Sequence, residues 1–181
     1  DLPYTPVVRA YALLGVNGEK MLISDYVQTD LFEVHSWVWF ADFLKNTDSV
    51  KILCDFHTMP EKLKTTAPQG TFVKTTDVCH LFKAEKNATE LQGMIDCHVR
   101  DGVALVKFFY WLENNWRGKT EMDVVRKLHQ FRFEQQNFFS ESFATIAGAG
   151  AKGAIVHYQP HEGSDAPLLE NELLLIMHNR D

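Results

Sequence analysis

From Asn87 onward, apolar residues recur at helical spacing for more than twenty positions, and no other stretch constrains the fold as strongly. Leu91, Met94/Ile95, His98/Val99, Gly102, Leu105/Val106, Phe109 and Leu112 form a stripe with the 3.6-residue period of an amphipathic helix. Its start is marked. Asn87 fits an N-cap and Glu90 the third helical position, where side-chain oxygens satisfy the orphan N–H groups of the first turn. The pattern breaks at Asn114–Gly118. Thr120-Glu-Met-Asp123 then opens a second helix by the same capping logic, with Val124/Val125, Leu128, Phe131 and Phe133 at its apolar positions. Two antiparallel helices joined by a short loop are expected. Asn87-Ala-Thr89 is also formally a glycosylation sequon, but the cap already accounts for Asn87.

Upstream the texture is different. Val7–Leu14 and Lys20–Ser24 are β-prone runs flanking Asn17-Gly18, a tight-turn signal, and predict a hairpin. Trp37, Phe40 and Leu44 keep a helical step, which predicts a helix over 34–45. Ser49–Asp55 and Thr71–Thr75 read as strands and Phe56–Leu63 as a turn of helix. Asp77–Lys86 reads as a connection, and the change of texture lies near 80–86. Beyond the helices, Ser142–Ala147 is a β-rich run that enters a Gly/Ala loop. A second apolar run, Ala154–Tyr158, leaves that loop, and Glu172–Met177 is a closing strand. The whole is a mixed α/β (α+β) chain.

An apolar content of 45% is enough for a buried core, so the chain is globular rather than disordered. A net charge of −6 provides no basic field, which argues against nucleic acid as a partner. No apolar run is long enough to span a membrane, and the N-terminus lacks the basic-then-apolar order of a signal peptide. The chain does not begin with Met, which suggests processing or excision. Cys54, Cys79 and Cys97 show no zinc-type spacing. Three scattered thiols suit a reducing compartment, so a cytoplasmic location is expected.

The chemistry-bearing residues are few. Eight histidines are scattered with no HExxH pair, and Pro160 separates His157 from His161. A lone histidine on an apolar strand is more often a hydrogen-bonded core residue than a site, and His98 on its helix reads the same way. Gly148–Gly153 has the glycine density of a phosphate loop, but no helix start follows it in the sequence. Asp77, Asp96, Asp101 and Asp123 read as caps or solvated positions.

Linked motifs add a resemblance. Lys83–Met94 (KAEKNATELQGM), His98–Leu105 (HVRDGVAL), Trp111-Leu-Glu113, Phe131-Arg132, and Ser142–Pro160 with Gly148, Gly150, Gly153, His157 and Tyr158 resemble the Xaa-Pro aminopeptidase (aminopeptidase P) family. Asp1–Val8 resembles the middle of that family's creatinase-like second domain. The resemblance implies a division at 83/84. Residues 1–83 would be the C-terminal part of the creatinase-like domain. Residues 84–181 would be an incomplete pita-bread half, two long helices plus β-strands, of the M24-like catalytic domain. It implies hydrolysis of peptides with proline at the second position, by a dinuclear manganese or zinc centre held by two Asp, one His and two Glu. It also implies that His157 is the catalytic histidine that hydrogen-bonds substrate beside the metals.

The departures are specific. Met177 stands where the resemblance expects the first metal-binding Asp, the tail His178-Asn-Arg-Asp181 lacks the Ser-Gly that should follow, and Asp181 comes four residues too late to substitute. None of the other expected ligands is matched. The chain is therefore expected to hold no cofactor, to be a truncated piece or relative of the enzyme, and to be inactive alone. The alternative is a non-catalytic, peptidase-like module that binds a peptide or protein. A half pita-bread exposes apolar surface, so self-association, such as a homodimer, is expected.

Overall fold

The structure, a computed structural model, describes residues 4–5, 7–47 and 49–178. It divides into two compact units. One is Val7–Lys86, and the other runs from Asn87 and includes Tyr4 and Thr5. Asp1, Leu2, Pro3 and Pro6 of the stretch Asp1–Val8, and the tail residues Asn179, Arg180 and Asp181, lie outside the described residues.

In the first unit, β1 (Tyr11–Leu14) and β2 (Lys20–Ile23) pair antiparallel with Tyr11 opposite Ile23, as the hairpin signal predicts. The turn closes where the Gly15 N–H donates to the Glu19 carbonyl and Gly18, at φ +95°, donates to that of Gly15. The helix expected over 34–45 is shorter. Glu33–His35 is β3, parallel to β2, and α1 is Trp37–Lys45. The boundary is Ser36, whose hydroxyl accepts from the Trp39 N–H and caps α1 from an extended backbone. Phe40 and Leu44 pack with Ile23 into a small core. A parallel pair follows, β4 (Ile52–Cys54) with β5 (Phe72–Lys74), connected through α2 (Glu61–Thr66), so the helix lies C-terminal to the expected Phe56–Leu63. The expected connection Asp77–Lys86 contains a helix, α3 (Val78–Ala84), capped by the Asp77 carboxylate. It buries no residue, and Leu81 and Phe82 are exposed. A helix without a buried face leaves no apolar period to read.

In the second unit, both capping boxes form as the sequence predicts. α4 runs Ala88–Asn115 behind Asn87 and Glu90, and α5 runs Glu121–Phe133 behind Thr120 and Asp123. Asp101 of α4 meets Arg132 of α5, while Leu105 and Phe108 pack with Val124 and Leu128, so the helices run antiparallel. β6 (Ile146–Ala149) and β7 (Leu174–Met177) pair antiparallel, with Ile146 opposite Met177 and Ala149 opposite Leu174. Ala147, Ala149 and Leu168 complete the core.

The predicted face of α4 is only partly the buried one. Asp101, Ala104, Leu105 and Phe108 turn inward, whereas Leu91, Ile95, Val99, Val106 and Phe109 are all more than half exposed. The long helix carries two apolar faces. The described residues cover one of them with α5 and β6, and the strongest sequence period follows the other. Asp101 is correspondingly no solvated position: it is buried against Arg132.

Candidate active-site wall

The glycine-rich stretch is built backbone against backbone. A Cβ on Gly148 would lie 2.9 Å from the Cα of Gly153, so β6 can touch the 3-10 turn Gly150–Ala154 only because Gly148 lacks a side chain. Gly148→Ala is therefore expected to lose about 1–3 kcal/mol through overpacking, measured by chemical unfolding.

Ala154–Tyr158, expected as an apolar strand, is not one. The chain leaves the 3-10 turn into a tight bend in which the Tyr158 N–H donates to the Ile155 carbonyl, and Ile155 and Val156 face solvent. His157 sits in this bend at φ +57°, in the left-handed region that a non-glycine residue rarely occupies. Its side chain is exposed and makes no hydrogen bond to another described residue. It is neither a core histidine nor a strand residue.

Glu121 holds the bend from below, and it is fully buried. Its carboxylate accepts from the Ala149 N–H at 2.7 Å, the Tyr158 hydroxyl at 2.5 Å and the Ala166 N–H at 2.8 Å. Its own N–H donates to the Ala166 carbonyl at 3.0 Å. Lys152 Nζ lies 3.6 Å from the carboxylate and donates to the Ser164 carbonyl. Burial pushes the Glu121 carboxyl up, but the three donors and the Lys152 charge together hold it below the usual carboxylate range. Burial, then the hydrogen bond to Glu121, raises the Tyr158 phenol. The sequence marks only a cap at this point. The signal was present in the spacing: Glu121, Val124, Leu128 and Arg132 are the buried stripe of α5, which puts a carboxylate at its first apolar position.

A second buried cluster lies at the other end of α5. Arg132 Nε donates to Asp101 at 2.8 Å, its Nη2 is 3.0 Å from His178 Nδ1, and its Nη1 is 3.6 Å from Glu141. His129 is 3.4 Å from the same Glu141 oxygen. His98 is held by the Met94 carbonyl on α4.

The five-ligand metal set does not fit the residues present. Among the described residues no three His, Cys, Asp or Glu side chains are grouped to hold a metal ion. Met177 ends β7 half-exposed, and a thioether is a poor donor to a hard divalent cation.

Residues 92–177 match the model of metallopeptidase family M24. The chain is 44% identical over 193 residues to Xaa-Pro aminopeptidase 1 of Dictyostelium discoideum, covering 97% of this chain and 30% of that protein. It is 30% identical over 200 residues to a probable Xaa-Pro aminopeptidase P of Pyricularia oryzae, covering 93% of this chain and 32% of the relative. Its fold superposes on the X-prolyl aminopeptidase of Caenorhabditis elegans with a TM-score of 0.86 at 25% identity, over 99% of this chain and 33% of the other. The chain belongs to the Xaa-Pro aminopeptidase family. Prolidase from Pyrococcus furiosus shares the fold, with a TM-score of 0.65 at 18% identity over 94% of this chain and 51% of that one. The architecture is thus that of the pita-bread M24 proteins, and this family member spans about a third of the length of its aminopeptidase relatives. The C. elegans enzyme is described as cytosolic, with a di-nuclear active site. In this family member, no helix among the described residues is long and apolar enough to cross a membrane.

Proposed function

We propose that this chain supplies the substrate-side wall of an Xaa-Pro aminopeptidase, with His157 as the group that hydrogen-bonds a peptide carrying proline at its second position. The observation that carries this reading is the bend itself. An exposed imidazole with no hydrogen bond to a described residue is displayed on a left-handed turn, and a buried carboxylate network pins that turn. A neutral imidazole carries one ring N–H and one bare ring nitrogen, so it can donate to a peptide carbonyl or accept from a peptide N–H. Residues 1–83 correspond on this reading to part of the creatinase-like domain and 84–181 to half of the catalytic domain, in a cytoplasmic enzyme using manganese or zinc. The 181-residue chain by itself lacks activity, because Met177 replaces a carboxylate ligand and the described residues offer no metal group.

Titrating the chain with an Xaa-Pro dipeptide while following its histidine NMR signals tests the reading. His157 should shift with added peptide, and the effect should vanish in His157→Ala. A response confined to other histidines would contradict it. If the peptide binds while Met177→Asp with added manganese gives no gain in metal affinity, the alternative of a non-catalytic peptide-binding module is favoured.

The same reading includes self-association. The outward face of α4 presents Leu91, Ile95, Val99, Val106 and Phe109 to solvent, an apolar strip of the kind that marks an interface. Sedimentation should show a dimer that Val99→Lys disperses. A monodisperse monomer of the unaltered chain would contradict this.

A further inference from the structure

The geometry points to Glu121 as the residue that positions His157, by tying together both ends of the loop that carries it and the residue beside it. The inference rests on the reading of His157 as the peptide-facing group. His157 lies in the segment 149–166. Glu121 accepts from the first residue of that segment, Ala149, from the last, Ala166, and from Tyr158, the immediate neighbour of His157. Lys152 crosses the same segment to the Ser164 carbonyl and lies under the Tyr158 ring, 5.4 Å from its centroid. The imidazole makes no hydrogen bond to a described residue, so its direction is set by the backbone of the bend alone. A left-handed residue without glycine's freedom persists only where its surroundings impose it. Beside the Tyr158 N–H on the Ile155 carbonyl, which closes the bend, the Tyr158 hydroxyl on the Glu121 carboxylate, at 2.5 Å, is the side-chain contact nearest in sequence to His157 that can do so. Glu121 sits on α5, on the same buried stripe as Val124 and Leu128, so the bend is tied to the core of the unit. Glu121 is thus a positioning residue: it touches the loop and not the peptide.

The test compares the unaltered 181-residue chain with Tyr158→Phe and Glu121→Gln, each labelled at histidine and the backbone. Tyr158→Phe removes one oxygen and keeps the ring, so it reads the strut even if Glu121→Gln fails to fold. The expected result in Tyr158→Phe is displaced His157 imidazole and amide signals, with His98 and His129 unmoved. Exchange of the Ala149 and Ala166 amides should accelerate roughly five- to tenfold in Glu121→Gln, as for one weakened hydrogen bond each. Unchanged His157 signals in Tyr158→Phe would overturn the inference, because a merely structural tyrosine would lower stability without moving that imidazole. The Xaa-Pro dipeptide separates the two levels. If His157 responds to the substitution but not to the dipeptide in the unaltered chain, Glu121 still positions the bend and the peptide reading fails. If it responds to the dipeptide but not to the substitution, the peptide reading stands and the positioning role fails.

Discussion

Arg132→Ala is expected to cost the second unit about 3–5 kcal/mol, the range for breaking a buried ion pair from one side. Arg132 is 4% exposed, and its guanidinium is shared among Asp101, Glu141 and His178, each contributed by a different segment of the chain. Removing it takes the arginine from two carboxylates in a site that water barely reaches, and a buried carboxylate that loses its cation costs more than the pair contributes. The second change distinguishes this from simple loss of packing. If the cost lies in the stranded charge, Asp101→Ala combined with Arg132→Ala should lose less than the sum of the two single changes, by about 0.5–3 kcal/mol, the usual coupling between touching residues. Urea unfolding followed by amide exchange on α5 reads both. A loss below about 1 kcal/mol in Arg132→Ala would mean that the cluster is wetter than its burial indicates.

Glu121→Gln should destabilise the same unit by at least about 1.5–3 kcal/mol at pH 7, the worth of one hydrogen bond to a charged group. Ala149 donates to one carboxylate oxygen and Tyr158 and Ala166 share the other, so an amide must turn its NH2 either to the Ala149 N–H or to the Ala166 N–H and the Tyr158 hydroxyl together. The acid dependence follows from the direction of the shift. The folded carboxyl titrates below its unfolded value of about 4.3, so its contribution is present in full above that pH and is lost as pH falls through the lower folded value. Asp123 is lowered chiefly by the Thr120 N–H, and Asp165 chiefly by the Thr120 hydroxyl, so these two carboxyls also lose stabilisation as pH falls. The comparison that isolates Glu121 is therefore the stability difference between the unaltered chain and Glu121→Gln, measured from pH 6 down to pH 3. That difference should shrink with acid, and a constant difference would contradict the assignment.

The sequence was most legible where local chemistry dictates conformation. Asn17-Gly18 specified a hairpin turn, and Asn87 with Glu90 and Thr120 with Asp123 specified two helix starts, because caps and turns are satisfied by residues within a few positions. It was less legible where long-range packing decides. Much of the apolar period of α4 traces its outward face, and the inward face runs through Asp101, whose burial depends on an arginine 31 residues away. α3 left no trace because it has no buried side. At the candidate site, the glycines and His157 stood out by type, but their arrangement did not. The left-handed bend replaced an expected strand because the segment closes on Glu121 rather than pairing with a neighbouring chain. Glu121 itself was hidden by its neighbour: Asp123 explained the cap, and a glutamate in the first helical turn needs no other reason to be there.

The most direct test of the account is turnover. The 181-residue chain is incubated with an Xaa-Pro tripeptide and manganese, and release of the N-terminal residue is followed. The account predicts none above the uncatalysed rate: on the proposed reading His157 faces the peptide, Met177 stands where a carboxylate ligand is expected, and the described residues group no three metal-binding side chains. Release that a chelator stops and His157→Ala abolishes would contradict it.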